Sequence, residues 1–515
     1  MEHDNYALPA HNHDFKGASN GLVFEEGDDG DAKEATKGGT SADRHDMKRL
    51  GKEQELRRDF KAISIFGFSM IVIVLSIGLI NGGTAGLIYI NLACWISFLA
   101  IYEAMAEMGS MAPTWRYRQY RWVSEFAPRE FQKILSYIVV AGTAFLSGTY
   151  IQGLLVLNYE WYVYERYHGT LFVIAVALFA LLFNTFLAKN LALVEGLILV
   201  LHIFGFFGIE VPLWVLTPTA PSSQVWTQSV DYGGWGNNGL SSLVGVLAGI
   251  LPLLGADSAA HMAEELQDAS YTLPRTMIRT TLINGALGFV MVITVCYCIG
   301  DVDTVLATPT GYGFIQIFYD STGSLAATNA MVAIVLVLAL FSCITMMASA
   351  SRQLFAFARD KGMPFSPWLG HVRPGWDIPL NAVSFSLVFT SILSLINIGS
   401  TVAFNSISSL STCALLLSYI VSTGCLVWRK MCNKPLLPSR FNLGNTGLAI
   451  NIFAIGALVI LFVFSFFPTF KHPTAETFTW NILIFSVVVV WSVGYYYAYG
   501  RHQYEGPVAY VRKLE

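Results

Sequence analysis

The chain has 515 residues, 54% of them hydrophobic and 13% charged, with a mean hydropathy of +0.52 and a formal net charge of −4. Soluble domains carry about 25% charged residues, so this composition excludes an ordinary soluble protein. The net charge averages over compartments, and no nucleic-acid partner is expected from it.

Residues 1–47 form an acidic, glycine-rich stretch (EEGDDGDAKEATKGGTSADRHD) with too few apolar residues to fold alone. It is expected to be a disordered, solvated cytoplasmic tail. It lacks the apolar core of a cleaved signal peptide, so the first span itself is expected to direct insertion. Residues 48–61 are a basic juxtamembrane segment (Lys48, Arg49, Lys52, Arg57, Arg58, Lys61). Between 62 and 498 the chain carries apolar runs of roughly the 20 residues that a bilayer crossing needs. Twelve are placed, at 62–80, 84–106, 135–157, 169–188, 191–216, 241–260, 276–300, 326–350, 380–398, 401–427, 447–468 and 479–498. Residues 499–515 are read as a cytoplasmic C-terminal tail.

Basic residues test this count independently. With a cytoplasmic N-terminus, 29 of the 31 Lys and Arg fall on the inside and only Arg166 and Lys471 outside. The positive-inside rule produces such an asymmetry, and a missed or invented span would scramble it. The sequence therefore predicts an all-α integral membrane protein of about twelve helices with both ends in the cytoplasm.

The sixth span poses the sharpest question. LPLLGADSAAHMAEELQD passes from an apolar run through Pro252 and Gly255 into Asp257, Glu264, Glu265 and Asp268. Pro252 removes a backbone donor and Gly255 lets the chain leave helical geometry. Irregular backbone at membrane depth survives only where it lines a cavity. Leu253 and Leu254 would then offer free carbonyls, while Ala256, Asp257 and Ser258 would begin a second half-helix, as in transporters whose helix ends face a polar solute. Asp257 or Ser258 suits its N-cap. The residues alone leave a second reading open: a proline kink beside a helix end, with Asp257 in the interface.

The seven cysteines give no disulfide framework, and with the ten histidines they show no metal-ligand spacing. No nucleophile elbow, Walker loop or zincin motif is present. Neither an enzyme nor a cofactor is expected.

GADSAAHMAEELQDASYTLPR (255–275) resembles the signature that follows the sixth span in permeases of the amino acid–polyamine–organocation superfamily, in the fungal branch that carries amino acids, 4-aminobutyrate or choline. GLINGGTAGLIY (78–89), AEMGSMAPT (106–114), SRQLFAFARDKGMPFSPWL (351–369) and GWDIPLNAV (375–383) agree and keep their order. The resemblance implies two inverted five-helix repeats plus two extra spans. It also implies alternating access around broken first and sixth helices, with a small-molecule substrate and a coupling proton as partners in the lipid bilayer. The substrate-binding set so implied is Leu253, Leu254, Gly255, Ala256, Asp257 and Ser258, with Ser76 and Gly78 from span one. The plasma membrane is favoured over the vacuolar membrane.

Spans one and three are short against the family's pattern, and Ile71–Leu75 stands where relatives carry a polar break. A non-transporting, permease-like sensor or a defective shortened relative is therefore the alternative. Coupling or gating candidates are Glu195, His202, Glu264 and Glu265. An intramembrane carboxylate is a functional candidate by default; Glu195 near the inner end fits that role. Glu210, near the outer end of the same span, is expected to anchor at the interface, and His202 to be a satisfied core histidine.

Overall fold

The computed structural model describes residues 75–112, 122, 126, 127, 166–187, 191–261, 263, 266–308, 313–372, 378–395, 401–474, 478 and 480–504. The acidic tail, the basic segment before span one and the whole of span three lie outside the described residues. Among those described, regular structure is helical, apart from an isolated backbone bridge between Asn81 and Asp231.

Among the described residues the helices follow the order of the predicted spans, with only 75–80 of span one and none of span three described. They are α1 (Gly83–Met111), α2 (Arg166–Phe186), α3 (Leu191–Leu216), α4 (Asn238–Val244), α5 (Leu247–Ile250), α6 (Ser258–His261), α7 (Ala269–Cys298), α8 (Gly313–Thr322), α9 (Leu325–Arg359), α10 (Leu380–Ser394), α11 (Thr401–Met431), α12 (Gly447–Phe464) and α13 (Asn481–Tyr495). Among the described residues seven helices are long and apolar enough to cross a membrane, and an eighth crossing is bent by 50° at the α4–α5 break. α2 and α10 are shorter apolar helices, and α8, absent from the predicted spans, lies between spans seven and eight.

α3 shows how composition becomes placement in lipid. Leu193, Leu197, Val200, Phe204, Phe207, Val211 and Val215 recur at three- and four-residue steps and are exposed. The opposite face, with Ile198, His202, Phe206, Ile209, Glu210 and Leu213, is buried. In water the polar face of a helix points outward. Here the apolar stripe faces outward and the ionisable side chains face the bundle, as a hydrocarbon solvent requires.

α1 packs along α7 and α12, α9 runs against α2, α3 and α10, and α11 pairs with α12. Small residues permit the close approaches. Trp95 lies so near Gly285 that a β-carbon there would meet the indole nitrogen at 1.9 Å, while that nitrogen donates to the Thr281 carbonyl at 3.1 Å. Two large apolar clusters result. One runs from Phe98 and Tyr102 through Leu253 to Tyr419 and Leu458, and the other joins Leu75 and Leu79 to α3, α7, α8 and α9.

Asn81, in the turn before α1, ties one end of the bundle together. Its amide donates to the Thr469 carbonyl at 3.0 Å and its side-chain oxygen accepts from Ser241 Oγ at 3.2 Å. Gly82 N donates to Val230 O at 2.9 Å and Tyr232 N to Ile80 O at 3.2 Å. Gly82 takes φ +128°, and a β-carbon there would strike Ser242 at 2.9 Å, so this corner needs glycine.

Candidate functional site

The sixth span is broken twice. α4 ends at Gly245 and the chain bends by 50° into α5. A 3₁₀ turn, Leu251–Leu253, then carries Pro252 in its first positions. Leu254 is extended at φ −68°, ψ 154°, and Gly255 sits at φ +102°. Only glycine enters that region cheaply, and among the described residues a β-carbon on Gly255 would meet nothing within 4 Å. The backbone at Gly255 therefore borders open space. α6 restarts at Ser258, whose N–H donates to the Gly255 carbonyl at 3.0 Å, and Ala260 N donates to Asp257 O at 2.8 Å.

The unwound turn must satisfy its polar groups from elsewhere. Tyr102, fully buried on α1, donates its hydroxyl to the Leu253 carbonyl at 3.2 Å. Its ring stands edge-on to Tyr419 of α11 with centroids 6.1 Å apart, and Phe98 lies 5.6 Å away on the other side. Asp257, 4% exposed, is close enough to Tyr102 for its charge to be felt there. Tyr102 and Tyr419 escape a reading by motif, because each sits in an apolar run far from the break in sequence. A phenol within such a run is the one signal, since buried tyrosine hydroxyls need partners.

The other predicted residues fall as follows. Leu253 and Ala256 are buried, while Leu254, Gly255 and Ser258 are partly exposed within the break. Residues 75–80 are helical, so Ser76 and Gly78 lie on a helix over the described part of span one. Gly78 packs on Leu87 and Ala248, and Ser76 lies beside Gly313 of α8. Those contacts lie toward α5 and α8. Ile71–Val74 lie outside the described residues, as do Glu264 and Glu265. Glu195 is on α3 by its backbone, and its side chain is likewise outside the description. His202 is fully buried. Glu210 departs from expectation: it is fully buried and not at an interface, because its helical position aligns it with Phe206 and Leu213 on the packed face.

The end of the bundle where α1 finishes is clasped by charge. Lys430 Nζ of α11 lies 2.6 Å from Glu107 Oε2 of α1, with side chains 11% and 2% exposed. Gly447 of α12 covers the pair, since a β-carbon there would meet Lys430 Nζ at 2.9 Å. Ser110 Oγ accepts the backbone N–H groups of Arg440 and Phe441 at 3.0 and 2.9 Å and donates to Ser270 O at 3.1 Å. Arg440 reaches Asp268 at 2.5 Å. Two predicted inside cations, Lys430 and Arg440, are thus contacts between spans.

At the opposite end, beside Asn81, Asp231 accepts from Trp235 N at 3.1 Å, Gly236 N at 2.6 Å and Ser241 Oγ at 2.8 Å. Partial burial pushes its carboxyl up, but these hydrogen bonds outweigh it and hold the group below the usual carboxylate range.

Comparison with known proteins supplies the family. A family model described as amino acid permease matches residues 60–490. An uncharacterized amino-acid permease of Schizosaccharomyces pombe is 29% identical over 493 residues, covering 89% of this chain and 88% of that one. The choline transporter of Saccharomyces cerevisiae is 24% identical over 473 residues, covering 88% and 83%. Among solved structures, a manganese transporter of Eremococcus coleocola aligns at a TM-score of 0.49 and 12% identity over 89% of this chain and 98% of that one. The family match spans nearly all the helices described above, and the chain, an all-α multi-pass membrane protein, belongs to the amino acid permease family of the amino acid–polyamine–organocation superfamily.

Proposed function

We propose that the chain is a secondary active transporter of a small amino-containing solute: an amino acid, 4-aminobutyrate or a choline-like quaternary amine. The observation that carries this reading is the unwound Leu253–Asp257 turn, whose Gly255 backbone borders open space at the point where Tyr102 meets the Leu253 carbonyl. A solute ammonium group is matched by backbone carbonyls and by the Asp257 carboxylate, and a quaternary amine by the faces of Tyr102 and Tyr419. A solute carboxylate is matched by N–H groups at the start of the second half-helix.

Alternating access moves the solute past this turn, with a proton as the coupling ion and Glu195, His202, Glu264 and Glu265 as coupling or gating residues. The transport domain spans 62–498, flanked by the acidic tail (1–47), the basic segment (48–61) and the C-terminal tail (499–515). Both ends lie in the cytoplasm, and the plasma membrane is the site of action.

A second reading, a permease-like sensor or shortened relative without transport, draws on the helical course of 75–80. Ser76 and Gly78 sit there on a helix, next to the Ile71–Leu75 run that stands where the family's pattern has a polar break.

Uptake by full-length protein in proteoliposomes separates the two. With an inward proton gradient, accumulation of one of labelled amino acids, 4-aminobutyrate or choline is expected. Correctly folded protein that accumulates none of them would favour the sensor.

A further inference from the structure

α3 carries a carboxyl that its surroundings leave without a counter-charge. Glu210 is fully buried, and among the described residues neither of its oxygens has a hydrogen-bond partner at bonding geometry, the Thr294 hydroxyl being its nearest polar neighbour on α7. It stands six residues before the end of the helix at Leu216, about 9 Å along the axis at about 1.5 Å per residue.

α7 presses Thr294 and Cys298 against it. The Thr294 hydroxyl accepts the Trp214 indole N–H at 2.8 Å, and Cys298 Sγ donates to the Leu213 carbonyl at 3.6 Å. Cys298 is the titratable group that α7 turns toward Glu210. On α3 itself the next is His202, also fully buried, two turns nearer the other end.

The charged residues of the packing helices lie elsewhere. Arg275 and Arg279 occupy the first turns of α7, at the opposite end from Thr294 and Cys298. Arg352 and Arg359 occupy the last turns of α9. Asp320 of α8 is exposed and accepts from Gln316 at 2.8 Å. Among the described residues, none of these helices brings a cation to the carboxyl. An ionised carboxylate in such a place has neither pairing nor hydration to offset its burial. The packing accommodates the neutral acid.

We propose that Glu210 is a proton-binding site, loaded from the outer solution and occluded when α3 closes on α7. On loading, a hydronium ion gives its proton to one carboxylate oxygen, an O–H bond forms, and a water molecule is left behind. When the helices part and water returns, that bond breaks, water takes the proton, and the carboxylate is regenerated. What the proton drives rests on the transporter reading above; the proton site itself does not.

Infrared difference spectroscopy on the reconstituted full chain tests it, alongside uptake at varied external pH. The wild type is expected to show the carbonyl stretch of a protonated carboxylic acid at neutral pH, lost in Glu210→Gln. The uptake rate of Glu210→Gln is expected to lose its dependence on external pH, because its side chain copies the neutral acid and cannot exchange a proton. Glu210→Leu, which fills the apolar packing without an amide, provides a second spectrum should the glutamine variant fold poorly. A carboxylic-acid band unchanged in the variants overturns the proposal, as does an unchanged pH profile of uptake in Glu210→Gln. If the wild type accumulates none of the tested solutes while the band still vanishes in the variants, the transporter reading falls and the proton site stands.

Discussion

The Tyr102 hydroxyl donates across 151 residues of sequence to the carbonyl of Leu253, at 3.2 Å, in the unwound turn of the sixth span. A buried acceptor deprived of its donor costs about 1–3 kcal/mol. Tyr102→Phe is therefore expected to reduce the unwound geometry by a factor of about 5 to 150 at about 1.4 kcal/mol per decade. Uptake should fall by a similar factor at normal surface abundance. Unchanged uptake would show that Leu253 finds another partner.

Asp257 is buried near Tyr102, within the unwound turn proposed to meet the solute. Asp257→Asn keeps the shape and removes the charge. Uptake is expected to drop at least tenfold, a loss of about 1.4 kcal/mol, with surface abundance nearly intact. A variant absent from the membrane would assign Asp257 to folding.

The Glu107–Lys430 pair is a contact whose single removal leaves a charge stranded, at a cost of about 3–5 kcal/mol. Glu107→Gln or Lys430→Met alone should lower the thermal unfolding temperature of the detergent-solubilised protein sharply. The double variant should recover most of the loss, since a neutral pair strands nothing. Additive losses would mean that the two side chains act independently.

Topology can be read with a native probe. Six of the seven cysteines are buried, and Cys432 is exposed at the end of α11. The distribution of basic residues puts it inside. A membrane-impermeant maleimide should spare intact cells expressing the wild type and label them after permeabilisation. Gln224→Cys, in an exposed short helix (Ser222–Thr227) between α3 and α4, should be labelled in intact cells. The reverse pattern would invert the membrane orientation.

Asp231 gives the corner around Asn81 a pH limit. Its folded value is depressed, so its contribution is complete above the unfolded carboxylate value of about 3.9. That contribution fades as pH falls through the lower folded value. Protection from hydrogen exchange across 228–236, taken relative to the intrinsic rate at each pH, should hold from neutrality down to about pH 4 and fall below it. Asp231→Asn should exchange faster at neutral pH and lose that step. Protection that ignores pH in the wild type would refute the assignment.

The spans and the position of the sixth-span break were legible because each rests on a local property: run length, or the missing donor at Pro252 and the free φ of Gly255. The partners of the break were not. Tyr102 reaches Leu253 only through the packing of α1 beside the turn, and no periodicity in either segment encodes that approach. Glu210 was misplaced for a different reason. Distance from the end of a span suggested an interface, whereas its angular position, in register with Phe206 and Leu213, decides burial. Lys430 and Arg440 looked like inside cations, and their carboxylate partners on α1 and before α7 emerge only once the helices are packed.

Asn81 gives the molecule a pivot. One asparagine side chain joins the end of the 75–80 helix to Thr469 beyond α12 and to Ser241 at the start of the broken span, and its backbone bridges to Asp231. A lever held at one end swings most at the other. With its tip anchored there, the helix at 75–80 moves least at this corner, so any rotation of it transmits little displacement to Asn81, Thr469 and Ser241.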